Sequence, residues 1–145
     1  MLVCAAEWRP DSTPRSLDEV LADPALAHYV ANWPQPGDFG VIAEDCEGRQ
    51  LGAAWCRSVS SDHPGYGFVS PEVPELSIGV IKEARGRGTG RRLIEELIEA
   101  ARKRGFHRLS LSVESDNFAM RLYADVGFSV VAEADGAATM LLELG

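Results

Sequence analysis

One stretch, residues 74–104, constrains the fold of this chain more than any other. It begins with a short apolar segment at residues 76–81, passes through four arginines and three glycines at residues 85–92, and continues as an amphipathic helix pattern that ends at Gly105. A strand that leads through a glycine-rich turn into a helix presents free backbone N–H groups and the positive end of the helix dipole to an anion. The order of these segments therefore predicts a phosphate-binding loop, the anion cradle, at residues 85–91.

Two familiar phosphate-binding loops do not match the anion cradle. The dinucleotide fingerprint requires G-x-G-x-x-G, whereas Gly86, Gly88 and Gly90 give G-x-G-x-G. The nucleotide P-loop requires a lysine directly after a glycine, and neither lysine of the chain has that neighbour. The pattern that remains is R-x-x-G-x-G, which begins at Arg85.

A second pattern follows at residues 117–128, which read N-F-A-M-R-L-Y-A-D-V-G-F. Together with the first, it resembles the two signatures of the GNAT superfamily of acetyl-CoA-dependent N-acetyltransferases, R-x-x-G-x-G and N-x-x-A-x-x-L-Y-x-x-x-G-F. Ala119 stands one place earlier than the alanine of that form, and the spacing from Tyr123 to Gly127 agrees. The resemblance covers residues 39–143.

The resemblance implies a fold and a domain organisation. It implies an α/β (α+β) domain with a mixed, mostly antiparallel central sheet flanked by helices, in which a splayed central strand pair binds CoA. We expect residues 1–145 to form this single N-acetyltransferase domain. The alternation of strand-like and helix-like segments independently predicts a mixed α/β layer protein.

Apolar periodicity and turn residues predict the individual elements. Strands are expected at residues 2–6, 39–44, 50–58, 76–81, 108–114, 128–133 and 138–143. Ser16 and Glu19 form a capping-box pattern that predicts a helix start, and Pro24 lies early in a second helical segment. We also expect a turn at residues 9–14, a short helix at residues 118–126, and a last hairpin that turns at Asp135-Gly136.

The resemblance also implies where the cosubstrate lies. Acetyl-CoA is expected in the cleft between the strands at residues 76–81 and 108–114, with its pyrophosphate on the anion cradle. Backbone N–H groups near Val80 and Ile81 would hold the thioester oxygen and the oxyanion that forms from it. The expected cofactor-binding residues are Ile78, Gly79, Val80, Ile81, Arg85, Gly86, Arg87, Gly88, Thr89, Gly90, Arg91, Asn117 and Tyr123.

Attack on the thioester requires a neutral amine, whereas a free amine with a pKa of about 10 is charged at pH 7. A general base or a water relay must therefore remove a proton. Glu75 is the first candidate, because it begins the central strand, where the family often places a basic carboxylate. Glu72 and His63 are the alternatives. By the resemblance, Tyr123 holds the position of the general acid that protonates the leaving thiolate.

The acceptor side carries no motif. The irregular segment at residues 60–74 holds three prolines and two glycines, and long loops of this kind are often functional. We expect the acceptor to be a small-molecule or peptide amine. The candidate substrate-binding residues are Trp33, His63, Tyr66 and Glu72, with His28, Tyr29 and Phe68 as further candidates.

The charge distribution favours an anionic cofactor and argues against nucleic acid as a partner. The formal net charge is −8, but residues 82–108 hold nine of the fourteen Lys and Arg residues. No apolar run is long enough to span a membrane and the N-terminus lacks a signal-peptide pattern, so we expect a cytoplasmic protein without membrane contact.

The three cysteines form no C-x-x-C pair, which predicts reduced, mostly buried thiols and no metal site. Because many members of the family are dimers, a homodimer is considered as well.

Three other functions fit parts of the sequence. The chain would be a non-catalytic CoA-binding regulatory or interaction domain if its acceptor side bound a partner instead of a reacting amine. Cys56 would be an acetyl carrier in a covalent mechanism, although no base is visible beside it in the sequence. A nucleotide kinase-like phosphate binder would need the P-loop lysine and a metal-binding carboxylate set.

Overall fold

The structure, a computed structural model, describes residues 1–6, 15–62 and 64–145. The expected turn at residues 9–14 and the candidate residue His63 lie outside the described residues. In chain order the elements are α1 (Leu2–Ala6), α2 (Leu17–Leu21), α3 (Pro24–Ala27), β1 (Phe39–Glu44), β2 (Gln50–Arg57), β3 (Glu75–Val80), a 3₁₀ turn (Lys82–Ala84), α4 (Thr89–Lys103), β4 (Arg108–Glu114), α5 (Ala119–Asp125), β5 (Ser129–Ala134) and β6 (Ala137–Glu143).

Six strands form one sheet in the order β1-β2-β3-β4-β6-β5. Neighbouring strands are antiparallel except β3 and β4, which run parallel and whose pairing in the described residues consists of Glu75 opposite Ser110. Beyond that pair the two central strands separate, while β3 keeps its register with β2 from Glu75 to Val80. The mixed, mostly antiparallel sheet and its splayed central pair confirm the expected fold.

Helix α4 lies across one face of the sheet and supplies the main core. Its apolar residues recur at helical spacing. The buried ones are Leu93, Ile94, Leu97, Ile98 and Ala101. They pack with buried strand residues such as Phe39, Cys56 and Leu111. Burying one leucine or isoleucine side chain contributes about 1.5–3 kcal/mol, so this stripe fixes the helix, and the anion cradle at its N-terminus, against the sheet.

The N-terminal helices cover the other face. A second, smaller apolar cluster consists of Leu2, Val20, Tyr29 and Trp55. Trp55 follows Ala54, which belongs to the main core, and successive residues of a strand point to opposite faces of the sheet. The two clusters therefore lie on opposite faces of β2.

Residues 2–6 form helix α1, so the strand expected there is wrong. A Cβ placed on Gly79 would collide with the Met1 carbonyl oxygen and would lie 3.0 Å from the Ala5 nitrogen. The helix packs directly on the backbone of β3 because Gly79 has no side chain there. Five residues are too few for apolar periodicity to distinguish a helix from a strand, and this tertiary contact decides the outcome.

The turn and cap signals agree with the structure. Ser16 and Glu19 form the expected capping box at the start of α2, with bonds of 3.2 Å and 2.7 Å between each side chain and the other residue's backbone N–H. The second helical segment is shorter than expected, since α3 ends at Ala27. The last hairpin turns at Asp135 and Gly136, whose φ angles of +52° and +77° fit a tight two-residue turn.

None of the described helices is both long and apolar enough to cross a membrane.

The three cysteines are free thiols, but the expectation that they are mostly buried is wrong. Cys56 is buried, Cys4 is half-buried and Cys46 is exposed. Cys46 lies in the turn between β1 and β2.

Candidate active site

A cleft opens where β3 and β4 separate. Ile81, which directly follows β3, donates its N–H to the carbonyl of Leu51 in β2 at 2.9 Å. Because hydrogen-bonded and non-bonded pairs alternate in an antiparallel ladder, the N–H groups of Ile78 and Val80 point away from β2 and into the gap toward β4. The cleft has a volume of about 900 Å³. Its walls come from β3, β4, the anion cradle, α1 and the start of α5.

The anion cradle forms one end of this cleft. The N–H groups of residues 86–91 have no acceptor within the described part of the chain, whereas those of Arg85 and Arg92 donate to the carbonyls of Lys82 and Gly88. The first turn of α4 carries no acidic residue that would neutralise the positive end of its dipole. Six successive N–H groups without an acceptor among the described residues, at the start of a 15-residue helix, match the arrangement by which helix N-termini bind phosphate groups.

Two glycines give the cradle its shape. Gly86 and Gly88 have φ angles of +73° and +82°, and glycine reaches this region without the steric cost that other residues meet. Gly90 differs, because it lies inside α4 and a Cβ there would only touch Leu122 and Ile78 at ordinary contact distances of 3.6 and 4.0 Å. Gly88 is thus required by backbone conformation, whereas Gly90 is not.

Arg85 joins the cradle to β3 and α1. Its Nε donates to the Val80 carbonyl at 3.0 Å, and its Nη2 lies 3.5 Å from the Cys4 carbonyl oxygen. Cys4, Val80 and Arg85 all line the cleft, so the guanidinium brings a positive charge next to the end of β3. The sequence indicated the positive charge, but the contact with α1 depends on the helix at residues 2–6.

Glu75 begins β3 and is 2 % exposed. Its Oε1 accepts hydrogen bonds from the Tyr29 hydroxyl at 2.5 Å and from the Gly67 N–H at 2.9 Å. Its Oε2 is buried and has no partner among the described residues. A Cβ on Gly65 would collide with that oxygen, so the loop from Gly65 to Gly67 packs closely over the carboxyl group.

This environment changes the acidity of the groups around it. Burial raises the pKa of Glu75, and the hydrogen bonds from Tyr29 and Gly67 oppose that rise. Burial and the nearby Glu75 carboxylate also raise the pKa of the Tyr29 hydroxyl and of the Cys56 thiol. A raised carboxyl pKa suits a general base that works near neutral pH. A raised thiol pKa makes the thiolate scarce and argues against Cys56 as an acetyl carrier.

Tyr123 lies in the cleft wall on α5. It is 7 % exposed, its ring packs edge to face with that of Phe128 at 6.0 Å, and burial raises the pKa of Tyr123 to about 12. The hydroxyl therefore stays protonated at neutral pH. Asn117 precedes the same helix, and its Oδ1 accepts the N–H of Ala119 at 2.9 Å, which caps the helix and fixes the side chain at the cleft.

Most of the expected cofactor-binding residues come together in the cleft. Those that line it are Ile78, Gly79, Val80, Arg85, Gly86, Gly88, Gly90, Arg91, Asn117 and Tyr123. Ile81, Arg87 and Thr89 are not among the lining residues, and the N–H of Ile81 is already bonded to Leu51. Of the two N–H groups expected for the thioester oxygen, that of Val80 faces the gap.

The acceptor end of the cleft differs from the expectation. Tyr66 lines it together with Glu75, Tyr29, Asp23 and Leu26. Trp33 and Glu72 lie outside the lining. Trp33 is 41 % exposed and covers the Arg57 guanidinium at 5.4 Å, while Glu72 is exposed and accepts a hydrogen bond from Ser70.

His28 and Phe68, two further candidates for the acceptor side, are also absent from the lining of the cleft.

Sequence reasoning missed the ion pair that holds this end in place. Arg57 is 4 % exposed, and its Nη2 lies 2.6 Å from Asp38 Oδ2. Its Nη1 donates to the carbonyls of His28 and Ala31, on either side of Tyr29, at 2.8 and 2.7 Å. Arg57 thus ties the end of β2 to the segment that carries Tyr29. The only signal in the sequence was a charged residue at the end of an otherwise apolar strand.

Comparison with known proteins gives a family match. The model of the acetyltransferase (GNAT) family matches residues 4–128. A mycothiol acetyltransferase from Arthrobacter sp. (strain FB24) is 34% identical over 105 residues, which are 71% of this chain and 31% of the relative. An L-methionine sulfoximine/L-methionine sulfone acetyltransferase from Pseudomonas aeruginosa is 35% identical over 91 residues, 62% of this chain and 50% of the relative. This chain therefore spans about a third to a half of these relatives.

Solved structures share the fold over most of the chain. A ribosomal-protein-alanine N-acetyltransferase from Brucella melitensis is 30% identical with a TM-score of 0.64, covering 90% of this chain and 80% of that one. The yncA protein from Salmonella typhimurium, solved with its cofactor acetyl-CoA, is 26% identical with a TM-score of 0.63, covering 92% of this chain and 76% of that one.

Proposed function

This chain belongs to the acetyltransferase (GNAT) family, and on that basis we propose that it transfers an acetyl group from acetyl-CoA to a primary amine. The observation that carries the proposal is the run of N–H groups at residues 86–91 that have no acceptor in the described part of the chain, beside the gap between β3 and β4. This arrangement suits a ligand with a pyrophosphate at one end and an extended arm that bonds to a strand edge. The yncA structure with acetyl-CoA supports the choice of that cosubstrate.

In the proposed complex the pyrophosphate lies on the anion cradle and the pantetheine arm runs along β3. The N–H groups of Ile78 and Val80, which β2 does not use, are available to the arm and to the thioester oxygen. As the amine adds, negative charge develops on that oxygen, and a backbone donor of this kind is worth about 3–4 kcal/mol in a preorganised site. The pantetheine arm thus forms hydrogen bonds with the edge of β3 that faces the gap.

The reacting groups then lie on the cleft walls. Glu75 is the base that receives the proton of the amine, and its raised pKa suits that role near neutral pH. Tyr123 donates to the departing sulfur, because its hydroxyl is protonated and lines the same cleft. With Glu75 at the start of β3 and Tyr123 on α5, the acid and the base belong to different elements of the cleft wall.

The acceptor is proposed to be a small amine that is cationic in solution. The acceptor end combines the Glu75 carboxyl with Asp23 and the aromatic rings of Tyr29 and Tyr66, which attract and enclose an ammonium group. The named relatives act on mycothiol and on methionine sulfoximine or sulfone, and the Brucella neighbour acts on a ribosomal-protein alanine. Compounds of these types define the amines to test first.

The test is a panel of amines with acetyl-CoA, followed by release of free CoA and by mass spectrometry of the products. The panel contains L-methionine sulfone, a peptide with N-terminal alanine, spermidine and free amino acids. The proposal expects at least one acetylated amine. Full CoA binding without acetylation of any amine would instead favour a non-catalytic CoA-binding domain.

Replacing Tyr123 by phenylalanine should lower kcat by about 10²-fold or more with the best panel amine, because general acid catalysis typically contributes 10²–10⁴. The ring and its contact with Phe128 are kept, so the protein should melt at nearly the same temperature. Steady-state kinetics with CoA release as the readout measure the effect. Unchanged turnover would remove Tyr123 from the mechanism.

The two glycines of the cradle should respond to alanine in opposite directions. Gly88→Ala forces a left-handed φ on an L residue and should destabilise the unliganded protein by about 1–2 kcal/mol. Gly90→Ala adds a helix-favouring residue inside α4 and should stabilise it by up to about 1 kcal/mol. Urea unfolding measures both.

Thermal melts with CoA test the cradle as a ligand site. At about 100 times its dissociation constant, CoA should add roughly 2.7 kcal/mol to the wild type, and Gly88→Ala should reduce that gain. Equal loss of stability in both glycine variants, or a melting shift with ATP as large as with CoA, would contradict the cradle assignment.

A further inference from the structure

Glu75 lines the cleft but is only 2 % exposed, and both of its carboxyl oxygens are covered by other groups. Oε1 already accepts from the Tyr29 hydroxyl and from the Gly67 N–H. Oε2 has almost no exposed surface, and the backbone of Gly65 lies so close to it that a Cβ on Gly65 would collide with it. The residue in the best position to accept a proton is therefore shielded from the molecule that must give it up.

Tyr29 is the group through which this carboxyl group connects to the cleft. The Tyr29 side chain lines the cleft next to Glu75 and Tyr66. Its hydroxyl donates its one proton to Glu75 Oε1 at 2.5 Å and accepts the Tyr66 N–H at 3.0 Å. A phenolic oxygen can accept two hydrogen bonds. Among the described residues Tyr66 is the donor that this oxygen accepts, which leaves one lone pair of Tyr29 for a donor in the cleft.

The hydroxyl is also held in one place. The Tyr29 carbonyl accepts the indole N–H of Trp55 at 3.1 Å, and Arg57 donates to the carbonyls of His28 and Ala31 on either side. These bonds link the backbone of residues 28–31 to β2, which pairs with β3 and hence with Glu75 itself. The buried side chains of Trp55 and Arg57 therefore fix the position of Tyr29 relative to the carboxyl group of Glu75.

We propose that the Tyr29 hydroxyl relays the proton from the acceptor amine to Glu75. An N–H bond of the ammonium group breaks as an O–H bond forms at Tyr29 Oη. The original O–H bond of Tyr29 breaks as its proton moves to Glu75 Oε1. Tyr29 ends the step as a neutral hydroxyl, Glu75 becomes a neutral acid, and the nitrogen lone pair is free to attack the thioester carbonyl.

This inference rests on the proposed acetyl transfer and goes beyond it, since it makes Tyr29 a catalytic residue that touches the substrate. In the simpler arrangement the loop at residues 65–67 moves aside and Glu75 takes the proton directly. The two arrangements differ in what remains when the Tyr29 hydroxyl is removed. Without a relay, the pH profile of kcat/KM for Tyr29→Phe would still show the titration of Glu75. With a relay, it would not, because Glu75 could no longer receive the proton of the amine.

The experiment compares Tyr29→Phe, Glu75→Gln and the double variant, using the panel amine with the highest turnover. The relay predicts that each single variant lowers kcat/KM by about 10²–10⁴-fold and that the double variant is no more than about threefold worse than either. It also predicts that both single variants lose the same acidic limb from the pH profile of kcat/KM. Glu143→Gln is the control, because that carboxylate is exposed at the end of β6. CoA-induced melting shifts establish that every variant folds and binds the cosubstrate.

The outcomes separate the relay from the proposed function. If Tyr29→Phe keeps an acidic limb that Glu75→Gln lacks, Glu75 acts directly and the relay is overturned, while acetyl transfer with Glu75 as base stands. If Glu75→Gln is as active as the wild type, the base assignment and the relay both fall. If no panel amine is acetylated, the proposed function falls and the relay falls with it.

Discussion

Replacing Glu75 by glutamine should lower kcat by about 10²–10⁴-fold, which corresponds to about 3–5 kcal/mol of transition-state stabilisation. Glutamine keeps the size of the side chain and an oxygen that accepts the bonds from Tyr29 and Gly67. It cannot take up the proton of the amine. The loss should therefore appear in turnover, with CoA binding unchanged.

The same substitution should change how stability depends on pH. The pKa of Glu75 is raised in the folded protein, chiefly by burial, so the native state holds a proton that the unfolded chain releases near the ordinary glutamate pKa of 4.5. As pH rises from that value through the folded pKa, the wild type therefore loses stability, and this loss is complete above the folded pKa. The glutamine of the Glu75→Gln variant does not titrate, so the variant should not show this loss of stability.

Melting temperatures of the two proteins at a series of pH values measure this difference. The gap between Glu75→Gln and the wild type should shift in favour of the variant as pH rises above about 4.5, and become constant above the folded pKa. Glu143→Gln, with its exposed side chain, should follow the wild type throughout. A gap that stays constant over the whole range would mean that the pKa of Glu75 is not raised, and the case for it as a base tuned by burial would fail.

Arg57→Ala should be the most destabilising of the substitutions considered, with a loss of about 3–5 kcal/mol. The side chains of Arg57 and Asp38 are only 5% and 3% exposed, so removing the cation leaves a buried carboxylate without its charge partner. The carbonyls of His28 and Ala31 lose their donor as well. Because these carbonyls flank Tyr29, turnover should fall together with stability.

Urea unfolding measures the loss, and two further variants locate its cause. Adding Asp38→Asn to Arg57→Ala should recover part of the stability, because the unpaired charge is removed while the two carbonyls stay without a donor. Arg49→Ala breaks an ion pair whose side chains are 60% and 69% exposed, and it should cost less than about 1 kcal/mol. Similar losses for Arg57→Ala and Arg49→Ala would contradict the buried ion pair.

Local patterns in the sequence were sufficient to predict the strand, the turn and the helix that form one side of the cleft. The apolar segment before Arg85, the glycines after it and the stripe on α4 specify a strand, a turn and a helix through interactions between near neighbours. The anion cradle follows from that order alone. The capping box at Ser16 and the turn at Asp135 were equally readable, since each depends on residues at most three positions apart.

The acceptor end was predicted less well, because aromatic and charged residues in a loop do not reveal which way they face. Trp33 was expected at the substrate and instead covers Arg57. Tyr29 was one of several aromatic candidates, and its bond to Glu75 joins residues 46 positions apart. Helix α1 was expected to be a strand, and it is the glycine at position 79, far along the chain, that gives it room to pack.

The sequence by itself thus predicted the family, the order of the strands from β1 to β6 and the glycine-rich turn before α4, because all three depend on short-range spacing. Only the tertiary structure decided the environment of Glu75. The acidity of a carboxyl group depends on how much water surrounds it and on which donors reach it. For Glu75 those donors are Tyr29 and Gly67, and the shielding comes from Gly65, a set brought together by the fold from distant parts of the chain.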